Sequence, residues 1–323
     1  MKYAFLLSKQ DIDMARDEVL ALMDGNSLID ANLLIVDCKS AVSSKDVGIL
    51  AGRLAYSRTI SSLLFHCSYE NLLSALEEFS WKDVYDENFS IRIKNLAGIG
   101  VPFAEQQLAD ILWRNLDNPN VKMKYAKTQI ILFFTSNQVY CTKLIAEVDS
   151  SFEERKAHKR PKLHPTSMHP KLARAMINLT GIDKGRIYDP FCGSGGILIE
   201  AGIIGLEPVG YDIDQNMIER AVKNLSHFKI NAKLMKKDAA RIRESMDYVA
   251  TDLPYGRSSR GKELEKLYLS FLKNLKKRLK KQAVISFPDF VDYKKIIEEA
   301  GFSIKKEYDY YLHKSLSKRI VVI

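Results

Sequence analysis

Cysteine is scarce in this 323-residue chain: Cys38, Cys67, Cys141 and Cys192 are its 4 thiols, far apart and never in a C-x-x-C pair. That spacing argues against a disulfide framework and against a cysteine-ligated zinc site, so free thiols and no bound metal are expected. Long apolar runs are missing as well. No stretch reaches the roughly 18–20 residues of a membrane span, and Met1-Lys2-Tyr3-Ala4-Phe5-Leu6-Leu7-Ser8 has neither the long apolar core nor the cleavage site of a secretory leader. A cytoplasmic protein without membrane contact is therefore expected. The G-x-G-x-x-G order of dinucleotide sites is absent too. Base is in short supply only at the start: residues 1–88 hold 8 Lys and Arg against 14 Asp and Glu, a net of −6, whereas residues 89–323 hold 41 against 26, a net of +15. The basic remainder has the electrostatic footprint of a polyanion binder.

What is present centres on Tyr188-Asp189-Pro190-Phe191-Cys192-Gly193-Ser194-Gly195-Gly196. It reads as a strand end, a glycine turn that tolerates positive φ, and the start of an apolar helix running from Ile197 to Ile204. A ligand can lie there against bare backbone at a helix N-terminus. The acid before the turn suits an ammonium group better than a pyrophosphate, which favours S-adenosylmethionine, with its ammonium, its sulfonium and no phosphate.

The rest of the second half alternates strands and helices. A helix begins within Thr166 to Leu179, with Ser167 as cap and Pro170 in its first turn. Strands follow at 186–188, 208–211, 233–237 and 248–251, with helices 197–204 and 215–228 between them. This pattern predicts a parallel sheet covered on both faces, with ligands at the carboxyl ends of its strands. Asp212 ends the second strand, where an acid can bind ribose hydroxyls, and Asp214 is read as a helix cap. Asp238, followed by Ala239, ends the third strand and can accept an adenine amino group. A lysine-rich amphipathic helix is expected over 263–281, then a strand at 283–287, a helix at 293–300 and a closing antiparallel pair near 302–312 and 319–323.

Thr251-Asp252-Leu253-Pro254-Tyr255-Gly256-Arg257-Ser258-Ser259 ends the fourth strand. It resembles the D/N-P-P-Y motif of methyltransferases acting on exocyclic amino groups of bases, with Leu253 where many relatives carry the first proline. Such an amine has its lone pair delocalised into the ring, so the enzyme must hold the hydrogens with acceptors and leave the lone pair aimed at the methyl group. Asp252 and a carbonyl of the Leu253-Pro254 segment suit that work, and Tyr255 offers a stacking face.

Residues 1–67 read as a small α+β (ferredoxin-like) domain without chemistry. Residues 68–150 resemble the THUMP domain of RNA-modifying enzymes, on the basic strand Phe89-Ser90-Ile91-Arg92-Ile93-Lys94, the helix after Gly98-Ile99-Gly100, and Asn115-Leu116-Asp117-Asn118-Pro119 leading into strands at 121–125, 130–135 and 139–148. This implies a grip on structured RNA, in that family the acceptor end of tRNA. Residues 151–165 read as an exposed basic linker, and 166–323 as a Rossmann-like methyltransferase domain.

Together these motifs resemble the archaeal-type THUMP-containing tRNA guanine-N2 methyltransferases acting on guanosine 10. The resemblance implies an α/β, class I methyltransferase fold behind the α+β region, S-adenosyl-L-methionine as cofactor and N2-methylguanosine or its dimethyl form as product. It implies tRNA as partner of a monomeric chain, with a small activator protein as a further candidate partner. The sites it implies are Asp252, Pro254 and Tyr255 for catalysis; Thr166, Ser167, Asp189, Gly193, Ser194, Gly195, Asp212, Ile213, Asp238 and Ala239 for the cofactor; and Arg92, Lys94, Arg155, Lys156, Lys159 and Arg160 for RNA. Two alternatives stay open: amino-methylation of another guanine or of adenine N6 in RNA or DNA, and an RNA-binding subunit with a silent methyltransferase fold.

Overall fold

The computed structural model describes residues 1–39, 43–98, 100–164, 167–255, 261–313 and 316–323. Thr166 and the Gly256-Arg257-Ser258-Ser259 end of the motif lie outside them, as do Ile99 and Pro165. The chain forms two compact units, one of residues 1–16, 23–52 and 56–148, the other of residues 17–22, 53–55 and 149–323. None of the described helices is long and apolar enough to cross a membrane.

In the first unit, β1 (Lys2–Leu7), β2 (Asn26–Asp30), β3 (Leu33–Asp37), β4 (Ser57–Cys67), β5 (Phe89–Asn95), β6 (Thr128–Phe134) and β7 (Val139–Glu147) form one sheet in the order β2-β3-β1-β4-β7-β6-β5. The expected division after residue 67 does not break this sheet. β4 pairs antiparallel with β1 along one edge and with β7 along the other, so the ladder runs through. Helices α1 (Ile12–Leu22), α2 (Ser44–Arg53), α3 (Leu72–Glu78) and α4 (Glu105–Arg114) complete the elements up to residue 148. α4 buries Leu108, Ile111 and Leu112, which its 3.6-residue period puts on one face, against Phe89, Leu132 and Phe134. The strand expected at 121–125 is reduced to a single bridge from Val121 to Phe89, and Tyr125 turns out of line at φ 56°.

The second unit carries α5 (Pro170–Leu179), β8 (Arg186–Asp189), α6 (Gly196–Ile203), β9 (Glu207–Asp212), α7 (Gln215–His227), β10 (Lys233–Lys236), β11 (Met246–Asp252), α8 (Gly261–Arg278), β12 (Leu279–Pro288), α9 (Tyr293–Glu299), β13 (Lys306–His313) and β14 (Leu316–Val322). Its sheet order is β10-β9-β8-β11-β12-β14-β13. The first five strands are parallel, and β14 enters antiparallel to both β12 and β13. This is the Rossmann-like arrangement expected, closing pair included. Gly210 of β9 lets α6 approach, since a Cβ there would lie 2.5 Å from Leu198 Cδ1. α8 ends earlier than its lysine pattern suggested, because Lys280 and Lys281 already belong to β12.

Residues 151–160 are not an exposed linker. They coil into two short 3-10 turns, Ser151–Arg155 and Ala157–Lys159, and bury Phe152, Arg155 and Arg160. Glu200 of α6, itself fully buried, accepts from Arg155 Nε at 2.8 Å and from Arg174 Nη2 at 2.8 Å. Arg160 Nε donates to the Arg155 carbonyl at 2.8 Å, and burial lowers the pKa of the Arg160 and Arg174 guanidiniums. A carboxylate removed from such a cluster leaves guanidiniums buried without a countercharge, which costs about 3–5 kcal/mol. Glu200→Ala should accordingly lower the unfolding free energy by about that amount in urea titrations. A loss below about 1 kcal/mol would place this cluster among weak surface pairs.

Candidate active site

The carboxyl edge of the parallel sheet brings four acids together in strand order: Asp238 just after β10, then Asp212, Asp189 and Asp252 at the ends of β9, β8 and β11. They line one cavity of about 470 Å³, inside the about 300–1,000 Å³ range of small-molecule sites. The glycine turn forms its floor. Gly195 holds φ 87° at the N-cap of α6 and would place a Cβ 3.3 Å from Ala221 Cβ, so its work is conformational and it does not line the cavity. Gly193 does line it, at φ 49°, and its N–H donates to Asp212 Oδ2 at 2.9 Å. The Cys192 N–H donates to the Tyr211 carbonyl at 2.9 Å, tying the turn to β9.

Ser167 caps no helix. Pro170 opens α5, His169 Nδ1 accepts from the Lys171 N–H at 3.2 Å as the cap, and the Ser167 hydroxyl lies 3.0 Å from that of Ser194 in the glycine turn. Both serines face the cavity. Asp214 caps α7 as read, accepting from the Asn216 N–H at 2.8 Å, and Asp238 Oδ1 accepts from the Ala240 N–H at 2.9 Å in the next short turn. Ile213 is 67% exposed on the cavity wall, with Ala239 also lining it. An apolar side chain left this open beside two acids suits the flat face of a base.

Asp189 is the most desolvated of the four. Burial pushes its carboxyl up to about 7, while the Thr251 hydroxyl at 2.7 Å and the Phe191 N–H at 3.2 Å pull it down and Asp252 and Asp212 push it up again. A cation beside it would offset the desolvation. Four acids, a bare backbone turn and an open apolar wall fit a cationic nucleoside such as S-adenosylmethionine and suit a pyrophosphate poorly.

Asp238 has the exposed Arg241 guanidinium 3.4 Å away, whereas Asp252 is in contact with a buried cation. Lys318 of β14, 1% exposed, places Nζ 2.5 Å from Asp252 Oδ2 and 4.5 Å from the centroid of the Tyr255 ring. Asp252 Oδ1 is buried and has no hydrogen-bond partner among the described residues. The Leu253 N–H donates to the Ser286 carbonyl at 3.1 Å, and the Tyr268 hydroxyl of α8 donates to the Pro254 carbonyl at 2.5 Å, which holds the segment in place. Sequence reading missed Thr251, Tyr268 and Lys318. The signal for Lys318 was its parity: it shares a strand face with Ile320 and Val322, both buried, and a lysine on an inward face needs a partner.

Of the expected RNA contacts, Arg155 and Arg160 are withdrawn into the Glu200 cluster. Lys156 pairs with Glu153 at 2.7 Å, and Arg92 is half-buried against Glu105 at 2.9 Å, while Lys94 and Lys159 are exposed.

Residues 157–318 match the family model UPF0020: RMKL-like, methyltransferase domain. The chain is 37% identical over 287 residues to the tRNA (guanine(10)-N2)-dimethyltransferase of Methanothermobacter thermautotrophicus, covering 85% of this chain and 84% of that one. It is 30% identical over 267 residues to the protein of the same name from Pyrococcus abyssi, covering 78% and 79%. Among solved structures, TrmN from Thermus thermophilus superposes with a TM-score of 0.53 at 18% identity, over 100% of this chain and 99% of that one, a likeness of fold.

The displaced carboxyl of Asp189 has a consequence for the unliganded protein. Its folded value lies above the ordinary carboxylate value of about 3.9, so folding takes up a proton between the two. The stability it contributes is fully present below about pH 4 and is lost as pH rises toward about 7. Asp189→Asn removes that titration. The variant should therefore melt above the wild type at pH 8, with the gap shrinking as pH falls toward 5. A gap that does not change with pH would contradict the buried, proton-binding state.

Proposed function

The chain belongs to the tRNA (guanine(10)-N2)-dimethyltransferase family, and from that membership we propose that it methylates N2 of guanosine 10 in tRNA with S-adenosylmethionine. The observation that carries the chemistry is Asp252 Oδ1, a buried acceptor without a partner among the described residues, on a residue that lines the acid-edged cavity.

The cofactor supplies an electrophilic methyl group carried on a sulfonium. Asp189 and the glycine-turn backbone at Gly193 would hold its amino-acid end, Asp212 its ribose, and Asp238 with Ile213 its adenine. Ser167 and Ser194, hydroxyl to hydroxyl, are the polar contacts assigned beside the turn. On the substrate side, the guanine amine gives one hydrogen to Asp252 Oδ1 and the other to the Leu253 carbonyl. The Pro254 carbonyl already accepts from Tyr268, so Leu253 is the acceptor assigned here. With the two hydrogens drawn by these acceptors out of the ring plane, the nitrogen pyramidalises and its lone pair leaves conjugation and turns toward the methyl carbon. As the new N–C bond forms, the methyl–sulfur bond breaks with its electron pair left on sulfur, the nitrogen sheds one proton, and Asp252 Oδ1 is the atom assigned to take it. The singly methylated amine keeps one hydrogen for the same acceptor pair, so a second round needs no new residue.

The Tyr255 ring stacks the extruded base. Lys94 and Lys159, exposed, are the phosphate contacts we retain for tRNA, and the first unit is assigned the THUMP role of gripping it.

Asp252 and Tyr255 should separate in single-turnover kinetics. Asp252→Ala should lose roughly 100- to 1,000-fold in rate, the scale of a lost preorganised hydrogen-bonding group, with cofactor and tRNA still bound. Tyr255→Ala should lose about 5- to 150-fold, the worth of one base stack, and Tyr255→Phe should stay near wild type. Full activity in Asp252→Ala, or equal losses in the two tyrosine variants, would contradict this assignment.

A further inference from the structure

We propose that Lys318 is the positioning residue of this active site: it takes Asp252 Oδ2 so that Oδ1 alone faces the target amine, and it props the Tyr255 ring from behind. The proposal rests on the amino-methylation reading above and adds a residue outside the D-L-P-Y segment. Its basis is one lysine touching both groups that segment supplies, at 2.5 Å and 4.5 Å.

Topology explains how a residue 66 positions away arrives there. β14 runs antiparallel to β12, so its first residues lie at the sheet edge where the parallel strands end. Lys318 sits opposite Pro288, and Asp252 opposite Ser286, on the two sides of β12. From that position the lysine side chain spans the end of β12 to reach the Asp252 carboxylate. Its burial makes the contact obligatory, because an ammonium taken out of water must be paired.

A free carboxylate presents two equivalent oxygens and rotates between them. With Oδ2 committed to Lys318, rotation is blocked, and the one remaining acceptor points where the hydrogen must be held. The same ammonium lies over the Tyr255 ring within cation–π range, so the stacking platform and the acceptor are set by a common anchor. Such preorganisation contributes to rate rather than to affinity.

The test uses the full-length protein, S-adenosylmethionine and a tRNA with guanosine 10, with kcat, KM and cofactor Kd measured for each variant. Lys318→Met should lower kcat by roughly 100-fold, the cost of about 1 Å of misplacement, with cofactor Kd unchanged, and Lys318→Arg should recover most of the rate. A double-mutant cycle separates positioning from mere folding. In an Asp252→Asn background the amide no longer needs a cation, so adding Lys318→Met should cost little further or should restore rate, whereas a general packing defect would cost the same in both backgrounds. Wild-type-like kcat in Lys318→Met, equal costs in the two backgrounds, or a loss confined to cofactor Kd would each overturn the proposal. If Lys318→Met is too unstable to assay, the arginine variant and the double variant decide, since a positioning lysine predicts most of the wild-type rate in the first and no loss beyond that of Asp252→Asn alone in the second. Failure of the wild-type protein itself to methylate guanosine 10 would instead refute the underlying reading.

Discussion

A carboxylate buried at the end of a parallel strand must find a cation or give up its charge, and the second unit solves this twice in different ways. At Asp252, which is only partly buried, the cation belongs to the protein: Lys318, more deeply buried than the acid, sits at 2.5 Å. At Asp189, by contrast, hydrogen bonds from Thr251 and Phe191 only partly offset desolvation, and the carboxyl is pushed up to about 7. The site is therefore built with one acid already neutralised by the chain and another poised for a cationic ligand. Sheet order follows from the same need, because only an antiparallel β14 delivers its early residues to the edge where β11 ends.

The glycine turn, Asp212 and the D-L-P-Y segment were legible in the sequence because each is a local device. Positive φ, a strand-end acid and a proline-restricted turn depend on a few neighbouring residues, and the structure places all of them around one cavity. Lys318 was not legible from any motif, since its partner lies 66 residues away and a lysine in a terminal strand resembles an edge charge until its inward parity is noticed. The basic run at 155–160 misled for a related reason. A guanidinium meant for phosphate and one meant for a buried glutamate have the same local sequence, and Glu200 lies 45 residues further on.

The sheet of the first unit likewise depends on pairing between distant segments. The expected boundary falls after residue 67, yet β4, bulges included, pairs with β1 along one edge and with β7 along the other. Strand pairing is a long-range property, so a change of local pattern marks a turn of the chain and not an end of the sheet. α4, in contrast, was plain from its apolar period, which fixes a buried face whatever lies opposite.

The central claim is that the acceptors at Asp252 and Leu253 exist to hold the two hydrogens of a guanine N2 amine. The most direct measurement is mass-spectrometric analysis of two tRNA transcripts, one with guanosine and one with inosine at position 10, each incubated with the protein and methyl-labelled S-adenosylmethionine. Inosine differs at that base by lacking the amine and nothing else. The account predicts label at position 10 of the guanosine transcript and none at position 10 of the inosine transcript; label on inosine 10, or label on the guanosine transcript only at other nucleotides, would contradict it.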